Sequence, residues 1–324
     1  MNSAAIPPAT VTGTGRRPAA PPRVGVFPPY GLPGPDLTAA RAFLAQVSDA
    51  GLDHVCCGDH VSFFGGPGFD GLVQATALAM LYPDLPVHCG VYLLPLRHPV
   101  LVARQLADIG QLAPGRLVFG VGIGGEDRHE VAVCGIDPAT RGLRTDECLS
   151  VLRQLQHGAP VSFHGRFFDL EDAVITPPSA VPVIVGGRSE AAVRRAGRLG
   201  DGWLGIWVSP RRFGAAAALA AREAASAGAP GWPGRHAMQV WYGLAGSRAA
   251  ARSYLAPAMQ AFYQLPFERF ERYCPYGTPE EVAEFLLPYV AAGCTEFNLI
   301  PQAASPGQAV EGAAAVKRLL GAAS

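Results

Sequence analysis

Two rhythms of apolar and polar positions alternate along the chain from residue 23 onward. Short, nearly continuous apolar runs lie at Arg23–Pro28, His54–Asp59, Val87–Leu94, Leu117–Ile123, Val181–Gly186, Gly202–Val208, Met238–Leu244 and Glu296–Ile300. Runs with little alternation are what strands buried on both faces require. Between them, apolar residues recur at helical spacing over Asp36–Ala50, Gly71–Leu81, Pro99–Leu112, Arg144–Gln156, Glu190–Leu199, Pro210–Ala227, Pro279–Ala292 and Pro306–Leu320. Start and stop signals agree with this reading. Thr278-Pro279-Glu280-Glu281 offers an N-cap, a proline at the first helical position and a glutamate at the third, and Gly51 and Gly293 follow apolar helix ends. Eight strand–helix repeats predict an α/β protein with a (β/α)8 TIM barrel, right-handed crossovers favouring closure. An open doubly wound sheet is the competing architecture.

Two segments exceed the minimal repeat and are expected as insertions in a single domain over 23–324. Residues 161–175 (VSFHGRFFDLEDAVI) look like a β-hairpin turning at His164-Gly165. Residues 252–277 form an aromatic-rich helical stretch carrying Tyr254, Phe262, Tyr263, Phe267, Phe270, Tyr273 and Tyr276. Core packing, a subunit interface and a wall of a substrate pocket are all open to it. Residues 1–22 are rich in Ala, Pro, Thr and Gly, and no apolar stretch follows Arg16-Arg17, so a disordered leader is expected rather than an export signal.

Composition narrows the function classes. Hydrophobic residues make up 49% of the 324 and charged residues 16%, enough apolar side chain for a large core. Lys plus Arg and Asp plus Glu are 26 each, which argues against a nucleic-acid surface, and no apolar run reaches the roughly 18 residues of a membrane span. All but one of the 26 cationic residues are arginine, the exception being Lys317, so an anion site must rely on arginine, histidine or backbone N–H groups. The 7 cysteines form no CxxC pair; reduced, buried thiols in a cytoplasmic protein are the expectation.

Barrel chemistry gathers where strands end. The second strand ends at Gly58-Asp59-His60, where an acid and an imidazole could orient each other for donor or general-base work. A histidine alone is more often structural, but its place after Asp59 at a strand end favours function. His88 and His98 read as structural. Gly90 inside the third strand suggests a bulge or a close ligand approach. The fourth strand runs into Gly120-Val121-Gly122-Ile123-Gly124-Gly125-Glu126-Asp127-Arg128-His129-Glu130, a glycine-rich backbone followed by charge. It lacks the helix and acidic partner of a dinucleotide fingerprint. The fifth ends Val185-Gly186-Gly187-Arg188-Ser189, opening a helix whose N–H groups, hydroxyl and arginine suit an anion. With no HxH or HExxH pair, no metal site is expected.

Taken in order, Gly51-Leu52-Asp53 to Gly58-Asp59-His60, Arg97-His98-Pro99 to Gly115-Arg116-Leu117, Gly120–Gly124 with Glu130, Gly135, Arg141 and Glu147, Gly165-Arg166-Phe167-Phe168, and Val185–Ser189 followed by Gly200-Asp201-Gly202-Trp203 resemble the luciferase-like flavin and deazaflavin oxidoreductases. These include bacterial luciferase and the coenzyme F420-dependent barrel enzymes. The resemblance spans about residues 23–320. It implies a (β/α)8 barrel with a cofactor ring over the strand ends and no bound metal. The catalytic roles it implies fall on His60 and Asp59, with Glu126 as proton donor. The cofactor contacts it implies fall on Asp59, Gly90, Val91, Gly122, Ile123, Gly124, Gly125, Gly186, Gly187, Arg188 and Ser189. Many members of the family carry a non-prolyl cis peptide in a third-strand bulge behind the ring, which here would lie at Gly90-Val91.

FMN and coenzyme F420 share the tricyclic ring and phosphate, so one barrel serves both. The Asp59-His60 pair and an acid at Glu126 or Glu130 after the fourth strand favour hydride exchange with F420. An FMN-dependent monooxygenase and a non-catalytic flavin-binding member are the alternatives. A small-molecule substrate and a homodimer are expected, with no nucleic-acid or membrane partner. Valine at position 187 is expected to weaken cofactor binding well before it disturbs the fold.

Overall fold

The eight apolar runs become eight parallel strands that close on themselves. In the computed structural model, which describes residues 20–323 apart from 33, 35, 67, 126 and 230, these are β1 (Arg23–Val26), β2 (His54–Cys57), β3 (Val87–Leu93), β4 (Leu117–Gly122), β7 (Val183–Gly186), β8 (Gly202–Ile206), β9 (Arg235–Leu244) and β11 (Glu296–Gln302). They pair in the order β9-β11-β1-β2-β3-β4-β7-β8, and β8 pairs with β9 to close the barrel. All residues of β2, β4 and β7 are buried, which is why their sequences carry no polar alternation. The open-sheet alternative is thereby ruled out. The leader expected over 1–22 lies, up to residue 19, outside the described residues.

Helices α1 (Leu37–Asp49), α2 (Gly71–Leu81), α3 (Pro99–Leu112), α5 (Arg141–Leu155), α6 (Glu190–Leu199), α7 (Pro210–Ser226), α9 (Pro279–Ala291) and α10 (Pro306–Ala322) match the eight expected ones. Two more appear. The six-residue α4 (Arg128–Val133) lies inside the charged loop after β4, too short to show a helical period. α8 (Arg248–Tyr263) forms the start of the aromatic insertion, which continues through two single 3-10 turns to the short strand β10 (Tyr276–Gly277). The hairpin is present as β5 (Val161–His164) against β6 (Asp169–Ala173). Its turn is fixed to α5 by one carboxylate: Glu147 accepts from the amides of Arg166 (2.9 Å), Phe167 (2.9 Å) and Phe168 (3.3 Å). Strand β9 starts three residues before its apolar run, with Arg235 paired to Glu296 at 3.1 Å and the His236 ring packed on Trp232.

The sequence signals at helix starts are used as read. Thr278 and Glu281 form a capping box at α9. Removing the cap in Thr278→Ala is expected to lower stability by about 1 kcal/mol, seen as a lower urea midpoint at constant slope; an unchanged midpoint would show that the α9 start does not limit stability. All seven cysteines are free and six are buried. Among the described residues no helix is long and apolar enough to cross a membrane.

Candidate active site

The C-terminal strand ends surround a cavity of about 1420 Å³. Gly90, Val91, Gly122, Leu204 and Gln239 line it where it meets the barrel interior. The peptide between Gly90 and Val91 is cis, and the β3–β4 register shifts between Cys89 and Tyr92, so the expected bulge is present. The Val91 side chain occupies the space that side chains at 122 and 186 would need: a Cβ on Gly122 would lie 2.4 Å from Val91 Cγ2, and one on Gly186 2.8 Å from Val91 Cγ1. These two glycines are therefore required by packing within the barrel.

Asp59 and His60 stand side by side in sequence but serve different partners. The buried Asp59 carboxylate accepts from the amides of Gly71 (2.9 Å) and Leu93 (2.8 Å), and Arg97 grips both of its oxygens at 2.6 and 2.8 Å. Arg97 also reaches Asp70 at 3.0 Å and lies over the Tyr92 ring. Burial pushes the Asp59 carboxyl up, against the pull of Arg97 and the two amides. Mutual orientation of Asp59 and His60 is thus corrected: Asp59 ties the β2 and β3 ends together, and its oxygens are already engaged.

The partner of His60 comes from 70 residues away. Its Nδ1 lies 3.3 Å from both carboxylate oxygens of Glu130 in α4. Glu130 Oε1 also accepts from the amides of Val61 (2.7 Å) and Ser62 (3.2 Å), so one acid holds the loop that carries the imidazole. Burial raises the Glu130 carboxyl, yet the His60 contact and the two amides outweigh it and hold it below its usual value. An ionised Glu130 requires His60 Nδ1 to donate, and among the described residues Nε2 has no partner. The ring stacks on Phe63 at 4.1 Å and meets the edge of Phe262 at 5.7 Å. Glu126, the acid named as proton donor, lies outside the described residues. Its neighbour Asp127 caps α4 and binds the Phe64 amide at 2.7 Å.

At the opposite side, Gly186-Gly187-Arg188-Ser189 turns from β7 into α6 on the cavity wall, as do Ile123, Gly124 and Gly125 beyond β4. Ser189 caps α6 through Ala192 N at 3.2 Å. Gly187 donates to Leu204 O at 3.2 Å. Arg212 donates to Arg188 O at 2.8 Å, and the Arg188 guanidinium lies 5.2 Å from the Trp207 ring centre. Gly187 has φ +135°, and a Cβ there would come within 2.8 Å of Ala192 Cβ. A valine at 187 would therefore strain the turn itself, which corrects the expectation that it weakens cofactor binding well before it disturbs the fold.

The aromatic insertion is both core and wall. Phe262, Tyr263 and Tyr273 line the cavity beside Trp207 and Trp241, and Tyr263 and Phe270 pack with the two tryptophans in a separate buried cluster. Sequence reading missed the tryptophans. Trp207 is the residue immediately after β8, so extending the strand-end rule one strand further finds it; its left-handed φ of 50° is rare for an aromatic. Gln239 and Trp241, inside a strand, gave no such signal.

At the barrel's other end His54, His88 and Glu296 bring ligand-type atoms within 4.8 Å of one another, although no metal pair was legible in the sequence. The two imidazoles stack face to face at 3.7 Å and 17°, which sets their in-plane lone pairs side by side instead of toward one point. Arg235 (3.1 Å) and Arg23 (3.6 Å) already hold Glu296 Oε2. His54 Nε2 pairs with Asn298 Oδ1 at 2.8 Å, whereas among the described residues His54 Nδ1, both ring nitrogens of His88 and Glu296 Oε1 are buried without a hydrogen-bond partner. His98 is structural too, accepting from Val100 N at the start of α3.

Parallel closure with the cavity at the strand C-termini makes the molecule a (β/α)8 barrel with a cavity over its strand ends. Within that class the chain belongs to the luciferase-like monooxygenase family, whose sequence model matches residues 19–296. It is 34% identical over 159 residues to an uncharacterised protein of Mycobacterium tuberculosis, covering 48% of this chain and 54% of that one. It is 32% identical over 170 residues to an F420-dependent glucose-6-phosphate dehydrogenase of Kineococcus radiotolerans, covering 50% of each. The matches thus span about half the length of these curated relatives. In fold it is similar to an F420-dependent secondary alcohol dehydrogenase solved with an F420-acetone adduct (TM-score 0.77, 21% identity, 90% of this chain and 96% of that one). A monooxygenase from Streptomyces bottropensis is similar as well (TM-score 0.74, 21% identity, 93% and 98%).

Proposed function

We propose that this chain is a coenzyme F420-dependent oxidoreductase that moves a hydride between the deazaflavin and a small organic substrate. The observation that carries the reading is the His60–Glu130 pair, which fixes Nδ1–H on a buried carboxylate and leaves Nε2 for the cavity. The neutral ring can take a proton at Nε2 and the protonated ring can return it, so one group serves either direction of the reaction. The F420-dependent relative matched over half its length supports this choice.

The residues present fit a flat ring with an anionic tail. Among the described residues Gln239 Oε1 has no hydrogen-bond partner and is buried where the cavity meets the barrel interior, an acceptor for a ring N–H. Gly90 and Gly122 keep the surface beside it low. At the other side, the start of α6 with Arg188 and Arg212 offers amides and guanidinium groups to a phosphate. When bound, F420 supplies the hydride acceptor or donor. The protein's part is to orient it, exclude water and hold the proton at His60.

The test is an anaerobic titration of the purified protein with F420, followed by substrate-dependent absorbance change. Arg188→Ala is expected to weaken F420 binding about tenfold or more, consistent with loss of one charge-assisted contact; unchanged affinity would place the phosphate elsewhere. A second reading, an FMN-dependent monooxygenase, draws support from the aromatic wall of Trp207, Trp241, Phe262 and Tyr263, which can shield a reactive centre from water. Substrate-dependent oxygen uptake with reduced FMN, and no turnover with F420, would establish that reading instead.

A further inference from the structure

We propose that the outer face of α2 and α3 is the interface of a two-fold homodimer, and that it braces the segment carrying His60. Exposed apolar surface is unevenly shared around the barrel. Of thirteen large apolar side chains left exposed among the described residues, eleven lie between Tyr30 and Leu143, and only Val174 and Tyr254 lie beyond. Helices of the other half meet water with charge: Arg194 and Arg198 of α6 reach Glu223 of α7, and Arg248 of α8 reaches Glu281 of α9. Helix α2, by contrast, has no charged residue in its 11 positions. Leu72, Ala75, Leu78 and Ala79 face the core. The outward stripe of Val73, Thr76, Ala77 and Met80 is almost as apolar, with Val73 57% and Met80 44% exposed. A helix that is apolar on every side belongs in an interior.

The occupant that fits is the same face of a second copy. A two-fold axis lying in the interface across the middle of α2 runs the two copies of this helix antiparallel. It sets Val73 against Met80 of the second copy and brings the small Thr76 and Ala77 together at the crossing. The Thr76 hydroxyl already donates to Leu72 O at 2.7 Å, so covering it strands no donor. Neighbouring α3 repeats this symmetry about its own middle. Leu101 and Leu112, 65% and 55% exposed, share one side of it, and the same axis sets each against the other. Between them Asp108 meets Gln105 of the second copy, an acceptor facing an amide donor. From a rise of about 1.5 Å per residue and a helix spacing of about 8–10 Å, the two helices present a face roughly 20 Å square. With side-chain relief that is on the order of 800 Å² per subunit, the size a stable interface needs.

This face backs onto the site. Asp70 caps α2 and also takes Arg97, and Gly71 N donates to Asp59. One residue earlier than Asp70, Phe69 O accepts from His60 N at 3.1 Å. Packing α2 against a second copy therefore steadies the loop that holds the imidazole, while the cavity stays open to its ligands.

The test is light scattering on the full chain as it elutes from a sizing column, with no cofactor. At about 50 μM, well above a micromolar dissociation constant, the wild type is expected at about 68 kDa, twice the 33.9 kDa of one chain. Its Tm should rise with protein concentration, as it does when a dimer dissociates on unfolding. Val73→Glu alone and Met80→Lys alone should each weaken the dimer about 100-fold or more, because each buries an unpaired charge. Both substitutions in one chain place opposite charges across the axis and should recover about tenfold of that loss. Val174→Glu, outside the face, should leave the dimer intact. Circular dichroism checks that each variant is folded, as expected for side chains exposed in the single chain. Hydrogen exchange that slows over 71–81 and 99–112 between dilute and concentrated wild type locates the face without any substitution. A wild type that is monomeric at the higher concentration, a dimer indifferent to both single substitutions, or a double variant no tighter than the singles would overturn the proposal. So would exchange that slows only elsewhere in the chain.

Discussion

Replacing His60 with alanine is expected to reduce turnover by 100-fold or more, the usual scale for losing a positioned acid–base group, while cofactor affinity changes little. The expectation follows from how the ring is held. Glu130 fixes Nδ1 from a different loop and Phe63 stacks on one ring face, so Nε2 is the one ring nitrogen that can exchange a proton with a ligand. Glu130→Gln keeps an oxygen for the Val61 amide but removes the charge that fixes the tautomer, and its loss should be smaller than that of His60→Ala. Wild-type turnover in His60→Ala, with cofactor bound, would remove the imidazole from the reaction.

Acid should unfold the barrel from its N-terminal end. Burial lowers the His54 pKa from 6.5 to about 3, only partly opposed by the hydrogen bond to Asn298. His88, stacked on it, is lowered well below 6.5 by burial and by His54, Arg235 and Arg23. Burial takes His236 from 6.5 to about 4. These rings are neutral in the folded chain and gain protons when it unfolds. Their contribution is complete above about pH 6.5 and is lost as the pH falls through that value. At about 1.4 kcal/mol per tenfold change in proton affinity, His54 alone costs on the order of 3 kcal/mol by about pH 4. That is a large part of a typical stability of roughly 5–15 kcal/mol. Burial raises the Glu296 and Asp59 carboxyls, which offsets part of the loss at the acid end of the range. Tm is therefore expected to fall steadily between about pH 6.5 and 4.5; a flat profile would mean that water or rearrangement accommodates the charged rings.

The barrel was legible because its strands are buried on both faces and its helices carry strong caps, so each repeat announces itself locally. The site was legible only where chemistry sits on one strand end. His60, Gly90-Val91 and the Gly186–Ser189 turn are of this kind. Pairings across the barrel were not: Asp59 with Arg97 lies 38 residues apart and His60 with Glu130 lies 70. Adjacent residues 59 and 60 turn to different neighbours because each strand end meets separate loops, a fact that periodicity does not encode. The polar layer of His54, His88 and Glu296 was hidden for the opposite reason, as each looks like an isolated polar residue at the edge of an apolar run.

The way Val91 fills the gaps beside Gly122 and Gly186 binds three distant sequence positions into one unit of inheritance. A side chain can be added at 122 or 186 only if residue 91 shrinks at the same time, and a smaller residue 91 alone leaves two hollows. Single substitutions at any of the three are penalised, whereas a matched change at all three is a tolerable step. Sequence drift in barrels built this way is thus confined to correlated triplets, and variant libraries that sample the three positions one at a time will miss the viable combinations.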